Sequence, residues 1–318
     1  MIESAVIVIS QAVAALLVSP FIVGLIRKVK ARLQCRRGAS IIQPYYDLSK
    51  LFRKDVVVST NTSWIFTATP YILFASTLTA ILLVPLFLSK VPINFAGDVI
   101  AVVYLLALGT FFLILAGLDA GSAFGGMGSS REAIVASLTE PAMILSIFAV
   151  GLTAGSTNLS TIVHKTALLQ DIVTDPPPHL MAFVALFIVT LAETGRVPVD
   201  NPATHLELTM IHEAMILEYS GRHLGLIEYS SQIKLMIYAV LIANLFFPWG
   251  IAQSTTPLEL TTALAAVLAK LGLLGMLLAL VESVVAKMRI FRVPTFLAVA
   301  FTIALVGMLS AIILEAGA

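Results

Sequence analysis

Eight apolar stretches of membrane-spanning length, at about 4–26, 64–88, 98–118, 133–154, 179–196, 232–251, 257–285 and 294–315, constrain this chain more than any other feature. Crossing about 30 Å of hydrocarbon takes roughly 20 mostly apolar residues. Lipid offers backbone N–H and C=O groups no water partner, and the stretches lack the alternation of barrel strands, so each is predicted to be a helix. Composition agrees: with 59% hydrophobic and 12% charged residues, a water-soluble globule would hold more apolar side chain than its core could hide. The expected fold is an all-α integral membrane protein with eight transmembrane helices and amphipathic cytoplasmic segments, forming one membrane domain over residues 1–318.

A net charge of +1 conceals a strong asymmetry. Nine of the nineteen lysines and arginines, from Arg27 to Lys54, fall between the first two stretches. Arg131, Arg196, Arg222, Lys234, Lys287, Arg289 and Arg292 are assigned to the alternate connections, Lys90 and Lys165 to the opposite side, and Lys270 to the inside of the seventh stretch. The positive-inside rule then makes the crowded side cytoplasmic and puts both termini outside the cell membrane. With Glu3 and no basic residue before Arg27, the first stretch has the wrong flank for a cleavable signal peptide and is expected to stay as a helix. Cys35, the single cysteine, excludes an internal disulfide and supplies too few thiolates for an iron–sulfur cluster.

After the first stretch, Leu48, Leu51 and Phe52 recur at helical spacing behind Pro44, with Asp47 early and Lys50, Arg53 and Lys54 late. That pattern predicts a short amphipathic helix on the membrane surface, serving as a headgroup anchor or as a docking surface for a soluble partner. Arg36, Arg37, Asp47, Lys50, Arg53 and Arg196 are the candidate docking residues. The connection 119–132 carries glycines at 121, 125, 126 and 128 but follows a membrane helix rather than a strand. It is therefore read as a hinge or a place of close backbone packing, not as a nucleotide loop.

Between Glu193 and Tyr229 the chain is crowded with titratable groups. Arg196 is spaced to pair with Glu193 or Asp200, and Asn201-Pro202 reads as the start of a helix running to about Ser220 and capped by Gly221. Such a helix would put Glu207 and Glu218 on one face, an arrangement suited to a proton path. Adjacent His212 and Glu213 raise the question of a metal, but Ile216 stands where a zinc-protease pattern needs its second histidine.

Glu140, beside Pro141, lies inside the predicted spans with Glu193, Lys270 and Glu282. An ionisable residue costs at least ~2.5–3.5 kcal/mol at the bilayer centre and by default marks an ion path. The plainer alternative pairs Glu140 with Arg131 and Glu282 with Arg289. Lys270 and Glu282 are about 18 Å apart along one helix and cannot pair, so Lys270 is expected to face the interior and meet a carboxylate or water from another helix or subunit.

The run ETGRVPVDNPATHLELTMIHEAMILEYSGR from Glu193, with RRGASIIQPYYDLSKLF from Arg36, FGGMGSSRE from Phe124 and ESVVAKMRIFRVP from Glu282, resembles the membrane subunit joining the two arms of respiratory complex I and related membrane-bound NiFe hydrogenases and formate hydrogenlyases. The resemblance implies an eight-helix subunit beneath a soluble redox module, with Glu140, Glu193, Glu207 and Glu218 beginning a charged path toward antiporter-like subunits. Asp200, Glu213, Lys270 and Glu282 complete the candidate path. It further implies hydrogenase-like large and small partner subunits carrying iron–sulfur clusters and a NiFe centre, no cofactor or complete active site in this chain, and no nucleic-acid partner. The hydrogenase type fits better than the quinone type. Ala203, Thr204 and His205 stand where quinone-type members carry a Glu-Gly-Glu step, the Glu207–Glu218 interval is longer than theirs, and Ala39 replaces a proline common after the Arg-Arg-Gly turn. The expected function is non-catalytic: anchoring the soluble arm and coupling electron transfer to proton or sodium movement. A quinone-binding subunit and a passive anchor are the alternatives.

Overall fold

The computed structural model describes residues 2–89, 98–168, 176–201, 210–253 and 256–317. Helices α1 (Ile2–Leu33), α2 (Gln43–Arg53), α3 (Trp64–Leu83), α4 (Val99–Asp119), α5 (Ala123–Ala154), α6 (Leu159–Leu168), α7 (Pro176–Glu193), α8 (His212–Ile216), α9 (Gly221–Phe246), α10 (Pro257–Val284) and α11 (Val293–Gly317) carry the described residues, and no strand is among them. Seven are long and apolar enough to cross a bilayer, namely α1, α3, α4, α5, α9, α10 and the C-terminal helix. The shorter α7 adds an eighth apolar column.

Local chemistry sets the ends. Ser63 and Asp98 accept hydrogen bonds from the second backbone N–H of α3 and α4, and Ser122 does the same for α5 through Gly125. Gly155 ends α5 and Gly195 ends α7, each with a φ near +60°, where an L side chain would be strained. The columns pack as α3 with α4 and α9, α5 with α4, α7 and α11, and α1 with α9 and α10. α9 is the centre of the bundle: 72% of its most apolar stretch is buried within the protein, against 28% for α11.

Two expected boundaries are overturned. α5 starts at Ala123, about ten residues before the predicted 133, because the glycines there form helix rather than loop. The expected close packing is present. A Cβ at Gly125 would fall 2.4 Å from the Gly117 carbonyl oxygen, and one at Gly128 would fall 2.9 Å from both the Ile211 carbonyl oxygen and the Ala214 methyl. α9 likewise starts at Gly221, not 232, so Glu228 belongs to a span and Lys234 lies near its middle rather than at its edge. Apolar periodicity missed this polar start because its side chains face protein rather than lipid.

The predicted helix from Pro202 to Ser220 is also corrected. Residues 202–209 lie outside the described residues, and from 210 to 220 the helix is limited to α8. The Asp200 carboxylate accepts from the Ile211 and His212 N–H groups at 3.1 and 3.4 Å, so a new helix starts there. Ser220 then exchanges hydrogen bonds with Val57 and precedes α9, and Gly221 opens that helix instead of closing one. The amphipathic α2 forms as expected. Its Pro44 and Leu48 are buried, and it packs on α9 and α1.

The glycine seam can be tested with two single methyl groups. Gly128→Ala forces the Ile211 carbonyl aside and should lower thermal stability by about 1–3 kcal/mol. Gly126, whose Cβ would meet nothing within 4 Å, should gain up to about 1 kcal/mol as alanine. Melting curves of the purified protein decide the matter: equal shifts for the two variants would show that the seam is not tight.

Candidate functional site

Lys234, near the middle of α9, is the hub. Its Nζ lies 2.7 Å from Glu193 Oε2 at the end of α7 and 3.3 Å from Thr110 Oγ1 on α4. Thr139, on α5, donates to the other Glu193 oxygen. Tyr238, one turn further along α9, is fully enclosed beside Glu193. Glu132 and Glu140, both on α5, complete the electrostatic surroundings of Lys234, and Glu132 is buried. Three carboxylates thus face one ammonium, so protons can enter and leave the cluster while the lysine keeps a counter-charge. Spaces of about 10 and 30 Å3 between these groups and His212 are of the size that single waters need.

Towards the side rich in basic residues, the chain returns through Gly195 to a second ion pair. Lys287, in the connection after α10, reaches Asp200 Oδ1 at 2.8 Å, and the Met288 N–H donates to the Pro198 carbonyl. Asp200 is buried with one oxygen on Lys287 and the other on the start of α8, which places His212 beside the α5 carboxylates. Burial first, and then Lys234, push the His212 imidazole down to about 4, against the opposing influence of Asp200. It is neutral at neutral pH.

The outermost group surrounds a cavity of about 510 Å3. Arg27, Lys30, Arg36 and Arg196 line it together with Asp200, Glu213, Glu228 and Glu282. Glu282 is clamped by Arg196 and by Lys30, the latter at 2.7 Å. Burial first, then Glu228 and Asp200, push the Glu213 carboxyl up to about 7, while Arg27 draws it down.

Several expected pairings give way to these. The Arg196 guanidinium pairs with neither the Glu193 nor the Asp200 carboxylate but with Glu282, because Gly195 turns it away from α7 and toward α10. Glu282 pairs with Arg196 and Lys30 rather than Arg289, and Arg131 donates to the Met210 carbonyl rather than pairing with Glu140. Glu140, Glu193, Asp200, Glu213 and Glu282 do gather along the inner face, while Glu218 is exposed in the turn after α8 and Glu207 lies outside the described residues. Lys270 is buried as expected, but its Nζ meets the Asn244 Oδ1 at 3.4 Å and the Trp249 ring at 4.9 Å. Among the described residues no carboxylate pairs with it. Arg36, Arg37, Lys50 and Arg53 are exposed, Asp47 accepts from Gln43, and Arg196 is turned inward.

Sequence reasoning missed Lys234 as a site residue, assigning it to a loop, and missed Glu132 and His212 as interior groups. The available signal was the polar run Glu228, Ser230, Ser231, Gln232 and Lys234, which continues at helical register into an apolar segment.

The sequence profile described as NADH dehydrogenase matches residues 5–313. Hydrogenase-4 component C of Escherichia coli is 36% identical over 281 residues, 88% of this chain and 87% of that protein. Formate hydrogenlyase subunit 4 of the same organism is 33% identical over 287 residues, 89% and 91% respectively. NADH-quinone oxidoreductase subunit 8 of Rhodothermus marinus is 29% identical over 246 residues, 74% and 70%. Among solved structures, a chain of the archaeal membrane-bound sulfane sulfur reductase superposes with a TM-score of 0.81 at 23% identity, over 97% of this chain and 99% of that one, which establishes the shared fold.

His212 and Glu213 make opposite contributions to the pH dependence of stability. Above about pH 4 the native histidine is neutral while its unfolded form still binds a proton up to about 6.5, so its contribution rises with pH across that window. The native Glu213 holds its proton to about 7 while the unfolded carboxyl loses it near 4.5, so its contribution falls with pH. Where the windows overlap the two slopes offset one another. Glu213→Gln should therefore expose stability that rises between pH 4 and 6.5, and His212→Asn stability that falls between pH 4.5 and 7, each by up to about 3 kcal/mol. Melting temperatures across pH 4–8 that run parallel in parent and variants would refute both assignments.

Proposed function

Since the chain belongs to the NADH dehydrogenase family, that of complex I subunit 1/H, and is a membrane subunit of a complex I-related oxidoreductase, we propose that it conducts protons or sodium ions between a soluble redox arm and antiporter-like membrane subunits. The observation that carries this reading is a continuous order of titratable groups. Glu282, Glu213 and Asp200 border the open cavity, His212 follows, and Glu193, Lys234, Glu132 and Glu140 lie within the bundle. Glu218, exposed after α8, and Glu207, which lies outside the described residues, belong to the same proposal.

Electron transfer in the partner would alter charge at the cavity, and the buried pair Glu193–Lys234 would respond because a low-dielectric surround screens it weakly. The three acids and one base of the surrounding cluster let a proton shift among carboxylates without leaving an unpaired ammonium. Arg36, Arg37, Lys50 and Arg53, beside exposed Tyr46 and Phe52, form the surface proposed for the soluble arm. The proposed partners are hydrogenase-like large and small subunits carrying iron–sulfur clusters and a NiFe centre, in keeping with relatives named as hydrogenase and formate hydrogenlyase components, and the positive-inside rule makes this side cytoplasmic, with both termini outside the cell membrane.

A quinone-binding role is the second reading, and the cavity volume of about 510 Å3 favours it. The four cations and four carboxylates among its lining residues argue the other way, because pockets for apolar rings place only a few polar groups among their apolar walls.

Vesicles carrying the assembled complex test the path. Glu193→Gln alone removes the direct partner of a buried ammonium and leaves it only Glu132 and Glu140, so it should weaken assembly by less than the about 3–5 kcal/mol of a fully unpaired buried charge. The double variant Glu193→Gln, Lys234→Met removes both charges and should assemble, keep partner electron transfer, and lose ion movement per electron by about a hundredfold. A parental gradient per electron in the double variant would end the proposal.

Replacing Arg36, Arg37 and Arg53 with Gln should release the soluble subunits at salt concentrations the parent withstands, since exposed charge pairs are screened within about 10 Å at 0.1 M ionic strength. Co-purification that is unchanged across a salt series would assign this surface to lipid.

A further inference from the structure

Lys270 stands apart from the carboxylate cluster. It is 3% exposed, yet among the described residues no carboxylate pairs with it. Asn244 gives one neutral oxygen at 3.4 Å, held in place because its amide donates to the Pro85 and Leu86 carbonyls at 2.7 and 3.0 Å. The Trp249 ring lies 4.9 Å from the amine. An ammonium has three donors, and burying it with so few partners is costly unless an anion completes the site.

The amine opens on a cavity of about 200 Å3 whose walls are otherwise apolar, including Phe183, Phe247, Leu273 and Leu277. Water fits such a space poorly, because it needs two to four polar partners. Leu273, Met276, Leu277 and Leu280 are exposed, and their spacing of three and four residues makes one stripe along α10, from the cavity mouth toward the basic side. α10 packs chiefly on α1 and α9, so the described protein leaves this stripe uncovered.

Depth limits where an anion can come from. Lys270 is central in the 28-residue α10, with about 20 Å of helix before it and about 18 Å between it and Glu282 on the basic side. Headgroups at the edges of a hydrocarbon core about 30 Å thick are out of its reach, and hydrocarbon itself satisfies none of its donors. A carboxylate arrives at this level on a transmembrane helix, where it is costly unless a cation awaits it. A second copy of this chain is a poor source, since its Glu193 and Glu282 are already engaged by Lys234, Lys30 and Arg196. The chain is one membrane subunit of a larger complex, so helices of other subunits are at hand.

We propose that the exposed stripe of α10 is the docking face for a transmembrane helix of a neighbouring membrane subunit, and that an aspartate or glutamate midway along that helix enters the cavity and accepts a hydrogen bond from Lys270. Lipid could cover the leucines as well as a helix does. The ion pair selects the partner and sets its height, because a slip of one turn would leave both charges in hydrocarbon. This contact shares no ion pair or cavity with the ion path among the described residues, so either can fail while the other stands.

Photo-cross-linking in the native complex, from benzoylphenylalanine placed at Leu277 and read by peptide mass spectrometry, tests it. The adduct should fall in an apolar span of another membrane subunit, within about two helical turns of an aspartate or glutamate. In the Lys270→Met complex, retention of that subunit through detergent purification should drop at least about tenfold, because its carboxylate loses its partner. Lys270→Arg should keep the subunit, and Lys270→Met combined with the amide in place of the identified acid should recover it, since no charge is then stranded. Adducts confined to lipid or to a second copy of this chain overturn the proposal, as does unchanged retention in the Lys270→Met complex.

Discussion

The buried contact between Lys234 and Glu193 holds together the part of the bundle where four helices converge. α9 supplies the ammonium, α7 the carboxylate, α4 a hydroxyl on the lysine and α5 a hydroxyl on the acid. Removing one charge leaves the other in a medium that solvates it poorly, so each helix is bound to its register by the need to keep the set complete. α9 can hold this position because it is buried nearly all round, and its polar start faces protein instead of lipid.

Around that contact, irregular backbone enters the membrane domain with polar groups met at several points. Gly195 reverses the chain after α7, Asp200 satisfies the first N–H groups of α8, and Arg131 takes the Met210 carbonyl. Glycines 117, 125 and 128 remove the side chains that would otherwise hold α4, α5 and α8 apart. Non-helical backbone at such depth is tolerated where protein or a wet cavity surrounds it, and both conditions are met here. The same close approach brings His212 against the α5 carboxylates, so packing and electrostatics have a common origin in small residues.

Charge is arranged differently in two parts of the bundle. At the basic side, cations and carboxylates border an open cavity and pair across α1, α7 and α10. Within α10, the buried Lys270 ammonium meets an amide and an aromatic ring, and among the described residues no carboxylate pairs with it. The first arrangement suits exchange of protons with water, and the second keeps its charge apart from that exchange.

The sequence alone determined the class of protein and most of its helices, because hydrocarbon length and backbone hydrogen bonding leave few solutions for apolar runs of this size. It also marked Glu140, Glu193 and Glu282 as interior groups, and the family resemblance agrees with the profile and relatives. Pairing was decided by tertiary structure. Arg196 is three residues from Glu193 and four from Asp200 but bonds Glu282, eighty-six residues away, since a left-handed glycine redirects it. Lys234 read as a loop cation until α9, beginning at Gly221, was seen to carry it near its middle, and Lys270 read as awaiting a carboxylate or water until Asn244 and Trp249 were seen beside it. Periodicity reports which residues avoid water; it carries no information on which buried charge faces which, because that depends on how helices distant in sequence are set against one another.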